Sequence, residues 1–154
     1  MGDRAARLQK NLAASGAFLN LIYTGDVLAN VMEGARRGVI YQGKLEAILG
    51  LDLGKLAGLQ GFTFYANGFQ IHNTGRIRRD YVGGINTIAA IEADPTTRLS
   101  EAWIERRLWD GRGSIRLGQL AADSEFFYTN LSVVFLQSDW PTITAVDQPS
   151  GGPA

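Results

Sequence analysis

Glu101, Trp103, Glu105 and Arg107 occupy alternate positions, so in an extended segment two carboxylates, an indole and a guanidinium share one side. Ala102, Ile104 and Leu108 fall on the other. Arg116 adds a second guanidinium, on the parity opposite Ile115 and Leu117. Such a set can build ion pairs and directed hydrogen bonds, but it is poorly arranged for acid–base catalysis. On a strand rising ~3.3 Å per residue, the Cα atoms of Glu101 and Glu105 lie about 13 Å apart, beyond the ~5 to 9.5 Å of paired glycosidase carboxylates. Asp123 and Glu125 are closer, yet nothing around them suggests a buried acid. His72 is the single histidine and there is no cysteine, so a catalytic triad, a multi-histidine metal site and a zinc–thiolate site are all excluded from this chain. The expectation is a protein without catalytic residues, cofactor or metal, in which His72 is a polar residue near a strand end.

Composition narrows the partners. With 15 Lys plus Arg against 15 Asp plus Glu, the 154 residues carry no net charge and no electrostatic footprint for a nucleic acid. No run approaches the ~18 consecutive apolar residues of a membrane helix, and the first residues lack the basic-then-apolar layout of a secretory signal. The absence of cysteine is compatible with an oxidising envelope compartment.

Elements follow from periodicity. Asp3 to Ala14 reads as a short amphipathic helix within a lead-in over residues 1–16, with Asp3 as N-cap, apolar Ala5, Leu8 and Leu12, and Gly16 as its stop. Beyond Gly16 the period becomes two. Strands are expected near 17–30, 38–53, 62–72, 97–109 and 114–121. The second is the clearest: Val39, Tyr41, Gly43, Leu45, Ala47, Leu49, Leu51 and Leu53 hold every odd position, while Gln42, Lys44, Glu46 and Asp52 supply polar even ones. A one-sided run of this length exceeds the ~5 to 6 residues usual in globular sheets and suffices for a tilted membrane crossing of ~9 to 11. Asp110-Gly111 between the last two strands is a strong hairpin signal, because both residues tolerate positive φ. Connections are short at 54–61 and 110–113, compact at 32–37, and long at 73–96 and 122–154. Short turns on one end and long loops on the other are the habit of bacterial outer-membrane barrels.

At this point the residues resemble the carbohydrate-selective porin (OprB) family. The resemblance rests on Tyr23-Thr24-Gly25, the run Gly43 to Gly61, the run Ala90 to Leu99 with Trp103 after it, Arg116 to Gln119 followed by Asp123 and Phe126, and Pro149 to Ala154. Ser138-Asp139-Trp140 departs from it, lacking the Phe-Gly expected before the proline. The fold class implied is all-β: about five N-terminal strands of a larger antiparallel transmembrane β-barrel, preceded by a short helix. The chain is too short to close such a barrel, since the smallest have ~8 strands and open edges facing lipid are costly.

The function implied is passive, sugar-preferring diffusion through the bacterial outer membrane, with no enzymatic step. Sugar hydroxyls call for planar hydrogen-bonding groups and the C–H side of a pyranose for an aromatic face. The expected pore-lining and substrate-binding set is therefore Arg116, Trp103, Glu101, Glu105, Arg107, Lys44, Glu46 and Asp123. Partners would be permeating sugars, outer-membrane lipid and lipopolysaccharide, and the remaining barrel strands. Arg106 breaks the alternation and requires either snorkelling or a bulge, whereas Tyr41 and Phe62 suit interfacial aromatic girdles. The resemblance implies that the loop after Ala122, with Phe126, Phe127, Tyr128 and Trp140, folds inward. Arg76, Arg78 and Arg79 read as a solvated face or as contacts for lipopolysaccharide phosphates. Two other readings share the alternation: a soluble, lectin-like β-sandwich, and a structural envelope barrel without solute preference.

Overall fold

A computed structural model describes residues 2–84 and 87–121. Five strands form one antiparallel sheet in the order β1-β2-β3-β4-β5, each beside its sequence neighbours. They are β1 (Ala17–Asn30), β2 (Gly38–Asp52), β3 (Phe62–Asn73), β4 (Thr96–Leu108) and β5 (Gly113–Gln119), preceded by helix α1 (Gly2–Ser15). Most strand limits fall within a residue or two of those expected; β5 stops at Gln119, so Leu120 and Ala121 are outside it. Because α1 begins at Gly2, Asp3 lies in its first turn and is not its N-cap.

Leu53 corrects the reading of β2. It keeps the apolar parity but belongs to a second helix, α2 (Leu53–Ala57), that fills the short connection. Asp52 is the switch: its Oδ1 accepts the N–H of Lys55 at 3.2 Å, satisfying a donor that a helix start leaves unpaired. Gly58 ends the helix in the left-handed region (φ 72°), where a side chain would be strained. Asp52 is thus a cap rather than part of a polar strand face. The β4–β5 turn also moves by one residue, since Leu108 pairs with Gly113 and the reversal uses residues 109–112. Trp109 and Asp110 both adopt positive φ (51° and 54°), which Trp rarely does.

The alternation along β2 is inverted relative to a soluble protein. Val39, Tyr41 and Leu45 are exposed, at 64%, 36% and 44%, whereas Gln42 is 1% exposed. Leu19, Leu21 and Tyr23 on β1 and Ile115 and Leu117 on β5 are exposed as well. Among the described residues the buried apolar side chains are few: Ile40, Phe69, Ile71, Ile77 and Ala89. A sandwich of this length would hide its apolar rows, so these strands are not the halves of a packed soluble core.

Two compact units share the strands. Among the described residues, one comprises 2–22, 46–69 and 98–120, and the other 23–45, 70–84, 87–97 and 121. The second contains the long β3–β4 connection, which is not irregular throughout. A π-helical turn spans Ile77–Val82, and the buried Glu92 carboxylate accepts the backbone N–H groups of Arg78 and Ile88, both at 2.9 Å. Tyr81 joins this connection to residues 31–37. Its carbonyl accepts from the Arg36 N–H at 2.9 Å and from Asn30 Nδ2 at 3.0 Å, and the Arg36 guanidinium lies 4.3 Å from its ring centroid.

Candidate functional site

In the first unit, β4 sits between β3 and β5 and carries the charged row at its centre. The β4–β5 register is unbroken over Ala102↔Gln119, Trp103↔Gly118, Ile104↔Leu117, Glu105↔Arg116, Arg106↔Ile115, Arg107↔Ser114 and Leu108↔Gly113. Glu105 and Arg116 therefore stand directly opposite on one face. Arg116 Nη2 and Nε both donate to Glu105 Oε2, at 2.8 and 3.1 Å. These are charge-assisted bonds between groups whose side chains are only 27% and 14% exposed, so water screens them incompletely. Arg107 Nε lies 3.9 Å from the other carboxylate oxygen but is itself 66% exposed, a looser partner.

Trp103 is the hub of the row. Tyr65 of β3 stacks on it with centroids 4.9 Å apart and planes 20° from parallel, and the Arg116 guanidinium of β5 lies 4.0 Å from the ring centroid. Neighbours from the strands on both sides thus pack against the indole. Gly118 makes the arrangement possible, because a Cβ there would stand 2.6 Å from Trp103 Cα. The indole N–H is buried and has no hydrogen-bond partner among the described residues.

Glu46 and Glu101 complete the row within this unit. Asn67 Nδ2 donates to Glu46 Oε1 at 2.9 Å, and Glu101 is 9% exposed. Lys44, in the second unit, lies two residues before Glu46 on the same parity of β2 and is partly exposed. Asp123 and the aromatic residues 126–128 lie outside the described residues. Sequence reasoning missed Tyr65 and Asn67 as contributors. Their signal was present, for both share the polar parity of β3 with Thr63.

Three further arginines have local partners. Arg106 needs no bulge: it pairs in register with Ile115 and lays its guanidinium 5.2 Å from the Phe62 ring centroid, shielding charge against an aromatic face. Arg76 donates to Asp94 at 2.7 Å and Arg79 to Asp80 at 2.9 Å. Those two arginines are therefore tied to carboxylates of their own loop.

The same second unit contains a polar cluster on the exposed face. Tyr23 and Tyr41 are hydrogen-bonded through their hydroxyls, and the Tyr23 hydroxyl lies 3.0 Å from His72 Nε2. His72 Nδ1 lies 3.2 Å from Gln70 Oε1. His72 is thus near a strand end, as expected, but is bonded into a chain of side chains from three strands.

The family model described as "Carbohydrate-selective porin, OprB family" matches residues 36–154. No curated protein matches the chain. Among solved structures, the high-pH structure of Pseudomonas putida OprB superposes with a TM-score of 0.73 at 19% identity, covering 80% of this chain and 31% of that one. The low-pH structure of the same protein gives a TM-score of 0.58 at 18% identity, covering 85% and 42%. The chain thus spans about a third to two-fifths of the length of the structures it resembles, and the likeness shows the fold: strands of a porin barrel. With a family match over most of its length and that fold, the chain belongs to the carbohydrate-selective porin (OprB) family, a family of outer-membrane channels.

Proposed function

We propose that this chain supplies part of the wall of a sugar-selective diffusion channel in the bacterial outer membrane, completed by further strands, and that it performs no enzymatic chemistry. The observation that carries the reading is the inverted alternation of β2, where Val39, Tyr41 and Leu45 are exposed on one face while Gln42 is covered on the other. That is the demand of a sheet with lipid outside and a water-filled lumen inside. Permeating sugars, outer-membrane lipid and lipopolysaccharide are the partners the reading requires. Neither a lectin-like sandwich nor a barrel without solute preference is favoured by the family match.

Within this wall we assign Arg116, Glu105, Trp103, Glu101, Arg107, Glu46 and Lys44 to the lumen, and Asp123 by the family resemblance. Tyr65, Trp103, Arg116 and Glu105 act as one stacked and ion-paired unit. With Tyr65 and Arg116 packed against the indole, a passing sugar would meet the ring edge and the outer edge of the Arg116 guanidinium. A lumen surface bearing both signs of charge offers donors and acceptors to neutral hydroxylated solutes without strongly favouring either ion. The test is conductance of the complete porin in planar bilayers: hexoses should depress the ion current in a saturable way. Current unaffected by sugar up to molar concentration would reject the sugar preference.

A further inference from the structure

Within the second unit, three glycines surround one side chain. A Cβ at Gly38 would stand 2.5 Å from Tyr81 Cε1, one at Gly75 would stand 3.3 Å from Tyr81 Cε2, and one at Gly34 would stand 2.8 Å from the Tyr81 carbonyl oxygen. The missing Cβ atoms leave a socket, and the ring of Tyr81 fills it. The backbone fastens the same residue: the Arg36 N–H and Asn30 Nδ2 donate to its carbonyl at 2.9 and 3.0 Å, and the Arg36 guanidinium lies 4.3 Å from its ring centroid. Asn30 also donates to the carbonyls of Glu33 and Arg36, so the connection that forms the socket is itself held in shape. By contrast, Arg76 bonds to Asp94, Arg79 to Asp80, and Glu92 to the N–H groups of Arg78 and Ile88. Those bonds stay within the β3–β4 connection. They shape it without fastening it to residues 31–37, and Tyr81 does the fastening.

The place of the socket gives this tie a consequence. Ile40 has the parity of Gln42 and Lys44 on β2, the side assigned to the lumen, yet it is 1% exposed, and a Cβ at Gly75 would stand 3.1 Å from its Cγ2. The β3–β4 connection therefore sets out against the lumen side of β2. We propose that Tyr81 is a positioning residue of the channel mouth: seated in its socket, it holds segment 74–84 to residues 31–37 and keeps the channel from closing spontaneously. The inference rests on the channel-wall reading above. A segment with its own internal bonds, once released at its one socket, moves as a body instead of unravelling. Loop motions of that kind run from microseconds to milliseconds, and the slower ones are resolved as steps in a single-channel current.

The experiment records single-channel current from the complete porin in planar bilayers, using variants that still run as heat-modifiable barrels. Tyr81→Ala should raise the frequency of closures several-fold. Tyr81→Phe keeps the ring and the carbonyl and should stay as quiet as the unmodified porin. Gly38→Ala fills the socket from the other side and should reproduce Tyr81→Ala with the tyrosine still present. A covalent tie supplies the reverse test, since a Cβ at Gly83 would stand 3.9 Å from Ala35 Cβ, within the ~3.5 to 4.5 Å that a disulfide spans. In a Tyr81→Ala, Ala35→Cys, Gly83→Cys porin, closures should be suppressed under oxidation and return when dithiothreitol is added to the same bilayer. Tyr81→Ala or Gly38→Ala channels as quiet as the unmodified porin would overturn the inference. So would Tyr81→Phe channels as restless as Tyr81→Ala, or equal closure frequency in the oxidised and reduced triple variant. An unmodified complete porin that passes no current is a different failure, since it would refute the channel wall itself.

Discussion

Arg116 and Glu105 are the pair on which the candidate site can be tested most sharply. Replacing Arg116 by Ala removes two charge-assisted hydrogen bonds, at 2.8 and 3.1 Å, and a guanidinium 4.0 Å from the Trp103 ring centroid. Bonds to charged groups contribute ~1.5 to 3 kcal/mol, whereas exposed ion pairs contribute ~0 to 1 and fully buried pairs cost ~3 to 5 when one partner is lost. Exposures of 27% and 14% put this pair between the limits, and Arg107, at 3.9 Å, partly compensates Glu105. Arg116→Ala should therefore destabilise the complete barrel by about 2 to 3 kcal/mol. A double-mutant cycle with Glu105→Ala should show about 1 to 2 kcal/mol of coupling, measured by urea unfolding in lipid vesicles. In planar bilayers the same Arg116→Ala porin should lose several-fold to about a hundredfold in sugar affinity and become more cation-preferring. If the two substitutions add within about 0.5 kcal/mol and sugar block is unchanged, the pair does not act as a unit and selectivity resides elsewhere.

Trp103→Ala should weaken sugar block with little change in ion preference, because it removes no charge; a large shift in reversal potential would contradict this. Single cysteines at Leu45, Leu49 and Leu51 should resist a water-soluble thiol reagent while those at Lys44 and Glu46 react, and equal labelling of the two sets would end the strand assignment. Gln42 is buried and its amide lies 3.2 Å from Asp26, so a cysteine there should label more slowly than one at Lys44. Asn30→Ala removes a side chain whose amide nitrogen contacts three carbonyls, those of Glu33, Arg36 and Tyr81. Faster hydrogen exchange at Arg36, whose N–H is held by the Tyr81 carbonyl, is the expected outcome, and unchanged exchange would show that Tyr81 anchors the connection unaided.

What could be read from the amino acids depended on whether a single period governed the segment. β2 was legible because apolar and polar residues alternate over most of its length, and one face of such a run must leave water. Leu53 misled for the same reason: it continues the alternation, while the cap signal at Asp52 and the stop at Gly58 enclose too few residues to show a helical period. The turn at Ile77–Val82 had no pattern to offer, since the bonds that tie it down run to Glu92, which accepts the N–H of Arg78 within it and of Ile88 beyond it. Asp110-Gly111 announced the reversal but not that Trp109 would join it. The charged row of β4 followed from parity alone. Its stacking on Tyr65 required knowing which residue of β3 lies alongside, and no strand states its partner's register.

That register, once fixed between β4 and β5, bears on how the barrel is assembled. A slip of one residue would turn every side chain to the wrong face, and a slip of two would keep the faces, so only the second is a plausible error. In one direction it would set Arg116 opposite Arg107, placing like charges side by side. In the other it would set Glu105 opposite Ser114 and move Gly118 away from Trp103, where a Cβ would clash with the backbone. The correct alignment alone gives the guanidinium its carboxylate and the indole its gap. This hairpin therefore carries the check on its pairing within its own two strands.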